Sequence, residues 1–233
     1  MSWCVKTTMQ GLINIIRRNH MKKHLFVLPL VFVFFALFAA SLAFSEEAAL
    51  TPGNPIKVDT KERTVSILAE VNGKYFVEPT RHGVVFKGGK FGDKSVFSGL
   101  VDPKTFHESL VKVGFKPGNN MTMDNKEKTC VEGEPLDVFV TWKGAKKTYR
   151  LDEVINDSNK KPITIRFGGN LPAAIEKNTG CLVCLDSCPV GITSNAAYTY
   201  GAVEKRKEVS FTGNKNTLPA DRSLVVITFK AKK

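Results

Sequence analysis

The sequence predicts an α+β fold: a β-rich single domain with one clear helix packed on a sheet, preceded by an N-terminal signal or anchor segment. Short apolar runs, several of them alternating with polar residues, are separated by turns rich in glycine and asparagine, which is typical of a sheet. One segment carries clear signals for both ends of a helix. The 233 residues are enough to bury a hydrophobic core, so the cysteines are not needed as a disulfide scaffold.

The N-terminal segment, residues 1–45, has five basic residues and no acidic residue. Residues 25–44 form an apolar run without a charge, followed by small residues. This pattern predicts an export signal, with an uncleaved membrane anchor formed by residues 25–44 as the alternative. Because the positive charge precedes the run, we expect the rest of the chain to be exported, in the periplasm of a bacterium. Arg17 and Arg18 resemble the twin-arginine export signal, although ordinary positive flanking charge is the favoured interpretation.

After a linker at residues 46–53, the predicted domain covers residues 54–231. Its expected strands are short and rich in β-branched and aromatic residues: 56–58, 64–67, 84–86, 95–97, 136–142, 163–167, 209–211 and 224–229. Asn72 and Gly73 form the strongest hairpin-turn signal in the chain.

One helix is clearly predicted, and it follows Asp102. The aspartate is a good N-cap, Pro103 suits the first helical position, and Gly114 ends the segment. The apolar residues of this segment recur at helical spacing: Phe106, Leu110 and Val113. We expect this face to pack on the sheet, and we expect a second, shorter helix at residues 171–177.

The chain is basic, with a net charge of +12. Beyond the N-terminal segment, 29 basic and 22 acidic residues leave a net charge of +7. The lysines are scattered, without a repeated pattern of stacking aromatics and without a nucleic-acid motif, so we expect no nucleic-acid partner. A solvated basic surface favours an acidic partner protein, and membrane contact is expected only through an uncleaved anchor.

The chemistry of the chain concentrates in a cysteine loop at residues 180–195. Cys181, Cys184 and Cys188, followed by proline, form a C-x2-C-x3-C-P pattern. Thiols this close together hold a metal or cluster, form one disulfide with a thiol left over, or act as reactive thiols. A metal site needs a fourth ligand, for which Cys130 is the first candidate and His82 the alternative. The other histidine of the domain, His107, falls on the helix face and suits a structural role.

Five segments of the chain resemble the YdjY-domain family of exported bacterial proteins: residues 82–89, 102–107, 114–118, 166–170 and 178–195. The resemblance covers nearly all of residues 54–231. It implies a protein that is ferredoxin-like in its cysteines. Bacterial ferredoxins place a further cysteine three residues before the first of the three, and here that position is Asn178.

Pattern and resemblance together predict an exported redox protein whose three cysteines bind an iron–sulfur cluster and pass electrons to an acidic redox partner. Zinc is the other metal that such ligands hold. The alternatives are a thiol–disulfide protein and a non-catalytic binding module whose loop is stapled by a disulfide, since exported proteins meet oxidising conditions. No arrangement of residues indicates a hydrolase, so we expect an electron carrier or a binding module rather than a stand-alone enzyme.

Overall fold

The structure is a computed structural model that describes residues 50–232. The predicted signal or anchor segment, with Arg17 and Arg18, lies outside the described residues. The twelve strands are β1 (Ile56–Asp59), β2 (Thr64–Val71), β3 (His82–Phe86), β4 (Phe97–Gly99), β5 (Pro135–Thr141), β6 (Tyr149–Arg150), β7 (Ile155–Asp157), β8 (Ile165–Arg166), β9 (Cys181–Cys184), β10 (Thr193–Asn195), β11 (Phe211–Gly213) and β12 (Leu224–Ala231). The helices are α1 (Pro103–Lys112), α2 (Leu151–Val154) and α3 (Leu171–Lys177), with a 3-10 turn at Gly73–Phe76. None of the helices within residues 50–232 is long and apolar enough to cross a membrane.

Eight of the strands close into a barrel. Around the ring the order is β2, β12, β5, β8, β10, β9, β3 and β4, and β4 pairs back with β2. The neighbours are antiparallel except for β3 with β4 and β9 with β10, which are parallel. Strands β1 and β6 extend the sheet outside the ring, and β7 pairs with β11 in a separate two-stranded sheet.

The predicted fold class, α+β with a helix packed on a sheet, is therefore wrong. The pairing that closes the ring joins the end of β2 to β4, with Ala69 opposite Gly99. Apolar alternation predicts that a segment is a strand, but it does not say which strand edges meet, and a closed ring leaves no free edge. The structure is a β-rich barrel with few helices.

The predicted helix itself is confirmed as α1. The Asp102 carboxylate accepts hydrogen bonds from the backbone N–H groups of Lys104 and Thr105, both at 3.0 Å, which satisfies two donors at the helix start. The Phe106 ring lies 4.8 Å from the Phe229 ring of β12, and α1 also contacts β2 and β9. Because these strands belong to different arcs of the ring, the buried face of the helix contacts both arcs of the barrel rather than one face of an open sheet.

The barrel core follows from alternation along the long strands. In β5, the buried residues Leu136, Val138 and Val140 alternate with partly exposed ones. In β12, Ile227 and Phe229 are likewise fully buried. Burying one such side chain contributes about 1.5 to 3 kcal/mol, so this wall provides a large share of the driving force for folding.

Two local predictions differ from the structure. Asn72 and Gly73 lead into the 3-10 turn rather than a hairpin, because Asn72 has a φ of −109° and the Gly73 N–H donates to Asp221 Oδ1 at 2.7 Å. A two-residue hairpin of the predicted kind needs positive φ at both positions. The cysteine segment, expected to be a loop, instead contributes β9 and β10 to the barrel wall.

Candidate metal centre

Strand β9 carries two of the cysteines into the barrel wall, between β3 and β10. In its pairing with β3, His82 lies opposite Cys184 and Val85 lies opposite Cys181, with a shift of register between them. Residues three apart in a regular strand face opposite sides. The irregular pairing instead lets both thiols lie in one small cluster outside the main core, while Leu182 enters that core.

His82, Cys181 and Cys184 bring three ligand atoms together. All three atoms lie within 4.8 Å of one another, and Cys181 Sγ is 3.6 Å from His82 Nδ1. The residues are 7%, 1% and 0% exposed, respectively. In a tetrahedral site with a metal–sulfur distance of about 2.3 Å and a metal–nitrogen distance of about 2.0 Å, the nitrogen and sulfur are about 3.5 Å apart. The observed 3.6 Å between Cys181 Sγ and His82 Nδ1 is close to this separation.

Cys188 is buried beside this group without belonging to it. Its side chain packs in the same small cluster as Cys184, but its sulfur lies outside the set of mutually close ligand atoms. Asn170 Nδ2 donates to the Cys188 carbonyl oxygen at 3.1 Å and to the Gly191 carbonyl oxygen at 3.2 Å, which fixes the turn after the last cysteine. A Cβ at position 191 would lie 2.9 Å from Cys184 Sγ, so only glycine lets the turn approach the thiol.

The other predicted candidates lie elsewhere. Cys130, the first candidate for a fourth ligand, is exposed and is not among the grouped ligand atoms, whereas His82 is. The loop of Cys130 does touch the cysteine segment, since the Val131 N–H donates to Ser187 Oγ at 2.9 Å. His107 is partly buried with its ring 5.2 Å from that of Phe167, and it is not among the grouped ligand atoms.

The sequence reasoning missed a buried ion pair next to the thiols. Arg81 is 6% exposed, and its Nε and Nη2 donate to Asp186 Oδ1 at 3.1 and 2.5 Å. Burial alone would lower the pKa of Arg81, but the sulfur of Cys188 and the carboxylate of Asp186 raise it above its ordinary value. The sequence features that point to this ion pair are a single acidic residue between the second and third cysteines and an arginine next to His82.

The pKa values of Cys181 and Cys184 shift in opposite directions. The Cys181 pKa lies well below its ordinary value, chiefly because the Cys184 thiol donates a hydrogen bond to its sulfur and also because His82 lies beside it. The Cys184 pKa lies well above its ordinary value for the converse reason, with burial adding to the effect. Of these two thiols, Cys181 is the one that loses its proton more readily, which favours it as a metal ligand.

The donor set fits a metal ion. Thiolate and imidazole ligands select zinc, copper(I) and iron over magnesium or calcium. Ser194 pairs with Cys184 across β10 and β9, and its buried hydroxyl has no hydrogen-bond partner among residues 50–232. A buried hydroxyl without a partner is unusual, and a metal-bound thiolate nearby would accept a hydrogen bond from it.

Fold and site together define a β-barrel protein with a buried cysteine and histidine cluster in its wall. The YdjY domain model matches residues 56–230, so the chain belongs to the YdjY domain family, which confirms the resemblance found in the sequence. Over 185 residues the chain is 58% identical to a protein of Escherichia coli (strain K12) named "Uncharacterized protein YdjY". That alignment covers 79% of this chain and 82% of the relative. No solved structure matches the chain.

Proposed function

We propose that this protein is an electron carrier whose centre is an iron ion bound by Cys181, Cys184, Cys188 and His82. The observation that carries the proposal is the buried group of three ligand atoms, one imidazole nitrogen and two sulfurs, all within 4.8 Å of one another. Cys188 completes the site by a movement of its side chain, since that side chain already packs in the same small cluster as Cys184. Iron bound there would supply reversible one-electron exchange, and Leu182 and Leu185 keep bulk water from the protein side of the site.

The spacing of the ligands supports a single ion over the iron–sulfur cluster that the cysteine pattern predicts. In a cluster with several irons the thiolates bind different iron atoms, so they lie farther apart than around one ion. The 3.6 Å between His82 Nδ1 and Cys181 Sγ instead matches one edge of a tetrahedron around a single ion. The cluster remains the second candidate, and the sulfide content of the protein separates the two.

The charges around the site fit an iron ion. Three thiolates cancel the charge of trivalent iron, and Arg81 and Asp186 cancel each other. Divalent zinc would leave one net negative charge, as in other zinc sites with three cysteines and one histidine. Reduced iron would carry the same charge, but only iron would also supply one-electron exchange, because zinc has no redox chemistry.

Basic residues near the site support the proposed acidic redox partner. Lys90 and Lys94 lie 6.0 and 5.2 Å from the Phe91 ring, and Lys126 lies 4.7 Å from the Tyr200 ring. Both rings pack against the cysteine cluster. A positive surface over a redox centre would steer a negatively charged protein to it and speed their encounter. Export to the periplasm is part of the proposal, and it rests on the charge and apolar pattern of residues 1–45.

Metal analysis of the full chain, recovered anaerobically after export by its host, tests the proposal. We expect about one iron per chain and no acid-labile sulfide. Cys184→Ser should remove the iron, and Cys188→Ser should weaken its retention less, because only Cys184 belongs to the close group. Cys130→Ser is the matched control, since Cys130 is exposed and outside the group. Iron with equal sulfide would establish the cluster instead, and retention of iron by Cys184→Ser would refute both.

A thiol–disulfide function is favoured by one separate observation. The Cys184 side chain lies in one buried cluster with those of Cys181 and Cys188, so it is placed to pair with either. In that case the recovered protein would be free of metal, and mass spectrometry without reduction would find Cys184 joined to one of the other two.

A further inference from the structure

A cavity of about 220 Å³ lies directly over the cysteine cluster. Cys181 and Cys188 form part of its lining, and Phe91, Val190 and Tyr200 supply apolar and aromatic walls. These walls pack against the buried thiols. A small organic molecule in this cavity would therefore touch both an apolar surface and the sulfur atoms of the cluster.

The charged residues that line this cavity are all basic. Lys90, Lys177 and Arg81 line it, and none of its lining residues within the described part of the chain is Asp or Glu. Arg81 is balanced by Asp186, and Lys177 is bonded at 2.6 Å to Glu176, so Lys90 supplies the clearest surplus of positive charge.

A neighbouring cavity of about 570 Å³ gives a useful contrast. It shares Arg81 and His82 with the smaller cavity, but Glu78, Glu204 and Glu208 line it beside two lysines. Only the smaller cavity, over the thiols, has the charge that favours an anion.

Thr179 supplies a polar group at the same cavity, beside the Cys181 thiol. It lines the cavity, is 7% exposed, and its buried hydroxyl has no hydrogen-bond partner at normal distance among residues 50–232. The backbone carbonyl of Thr179 accepts from the Phe91 N–H at 3.2 Å, and the Lys90 N–H donates to the Asn178 carbonyl at 2.9 Å. Hydroxyl, aromatic ring and lysine are thus carried by two adjacent segments. A polar group buried without a partner is uncommon in folded proteins and suggests a ligand that supplies one.

We propose that this cavity binds a small organic carboxylate, with the carboxylate held by Thr179 and Lys90 and its apolar body between Phe91 and Tyr200. The inference rests on the proposed function in one respect, that the bound anion lies against the ligands of the redox centre and lowers its reduction potential. A negative charge near the centre disfavours the additional electron, so the direction of the shift follows from electrostatics.

Calorimetric titration of the full, metal-loaded chain tests the inference. The probe is benzoate, with benzamide as a neutral molecule of similar shape and inorganic phosphate as an anion without an apolar body. We expect benzoate to bind best of the three. Thr179→Val should weaken benzoate about tenfold by removing a hydrogen bond to a charged group. Lys90→Met should weaken it up to about fivefold, as for an exposed charge. Lys207→Met, in the larger cavity, is the control and should change nothing.

Repeating the titration with reduced, metal-free protein separates this inference from the proposed function. Benzoate binding that responds to Thr179→Val supports the cavity assignment, even if the recovered protein contains no iron. A protein that holds iron but ignores benzoate, or binds it equally after both substitutions, overturns the assignment and leaves the metal centre standing. Equal affinity for benzamide or phosphate also overturns it, because either the charge or the apolar walls would then have no role.

Discussion

Two arcs of the barrel wall differ in regularity, and the difference separates stability from function. In the arc of β2, β12 and β5, β12 pairs with β2 over seven consecutive residues and with β5 over six, without a shift of register. In the arc of β3, β9 and β10, the three pairs between β3 and β9 are broken by two shifts, and β9 meets β10 over only two pairs. The first arc buries hydrophobic side chains, whereas the second holds the thiols, His82 and the nearby ion pair.

This comparison shows what an irregular strand can do that a regular one cannot. Unbroken alternation sends every second side chain to the core and the rest to solvent. A bulge breaks that alternation and lets two cysteines three apart lie on the same side, facing a histidine on the next strand. The regular arc can therefore stabilise the barrel while the irregular arc departs from the best packing.

The largest effect should come from the regular arc. Phe229→Ala removes a fully buried ring that packs on Phe106, so we expect the free energy of unfolding to fall by about 4 kcal/mol. Iron content per folded chain should stay unchanged. Urea denaturation followed by circular dichroism measures the free energy of unfolding, and metal analysis measures the iron content. Leu224→Ala, an exposed position on the same strand, is the control. Equal losses for both variants would contradict the assigned core.

The next effect concerns the ion pair of the irregular arc. Arg81→Met leaves the Asp186 carboxylate buried without its partner, and we expect a loss of about 3 kcal/mol in unfolding free energy. The double variant Arg81→Met with Asp186→Asn should recover much of that loss, because no uncompensated charge remains. A double variant no more stable than the single one would show that packing of the arginine, rather than charge, matters.

A smaller effect should follow from filling the turn after the cysteines. Gly191→Ala places a methyl group 2.9 Å from both Cys184 Sγ and Ser194 Oγ, so we expect a loss of about 1 to 2 kcal/mol together with reduced iron content. Gly53→Ala is the matched control, since nothing lies within 4 Å of a Cβ there. Normal iron content in Gly191→Ala would mean that the Cys184 thiol is free to move away without cost.

The smallest effect is a pH dependence outside the site. Burial lowers the pKa of His107, although Glu108 opposes this, so the folded state favours the neutral ring. The unfolded chain then binds more protons near its ordinary pKa of about 6.5, and this contribution to stability is complete above that pH and lost below it. His107→Gln should flatten the fall in urea midpoint from about pH 7.5 to about pH 5. An unchanged slope would show that other groups cause it.

The regular half of the molecule was predictable because its periodicity is local. The strands around residues 64–67, 136–142 and 224–229 follow from alternation, and α1 follows from Asp102 and Pro103 at its start. Closure of the barrel was not predictable. The pairing of Ala69 with Gly99 depends on contacts far apart in sequence, and the residue pattern of neither strand indicates it. A single sequence predicts the strands of a sheet but not which strands pair with one another.

The site was predictable in its cysteines but not in its surroundings. Three cysteines within eight residues stand out in any sequence, whereas His82 lies 99 residues before Cys181 and joins it only through strand pairing. Cys130 was the first candidate for a fourth ligand because it is the only other cysteine beyond the N-terminal segment, yet the structure leaves it exposed. Arg81 and Asp186 look like ordinary surface charges in the sequence, and only the fold buries them together.

X-ray absorption spectroscopy at the iron edge, on the full chain recovered anaerobically, tests the central claim most directly. We predict one iron with three sulfur neighbours at about 2.3 Å and one nitrogen neighbour at about 2.0 Å, without a second iron nearby. In His82→Ala the nitrogen should be lost while the sulfurs remain. A short iron–iron distance, or a spectrum that His82→Ala leaves unchanged, would contradict a single ion bound by three cysteines and His82.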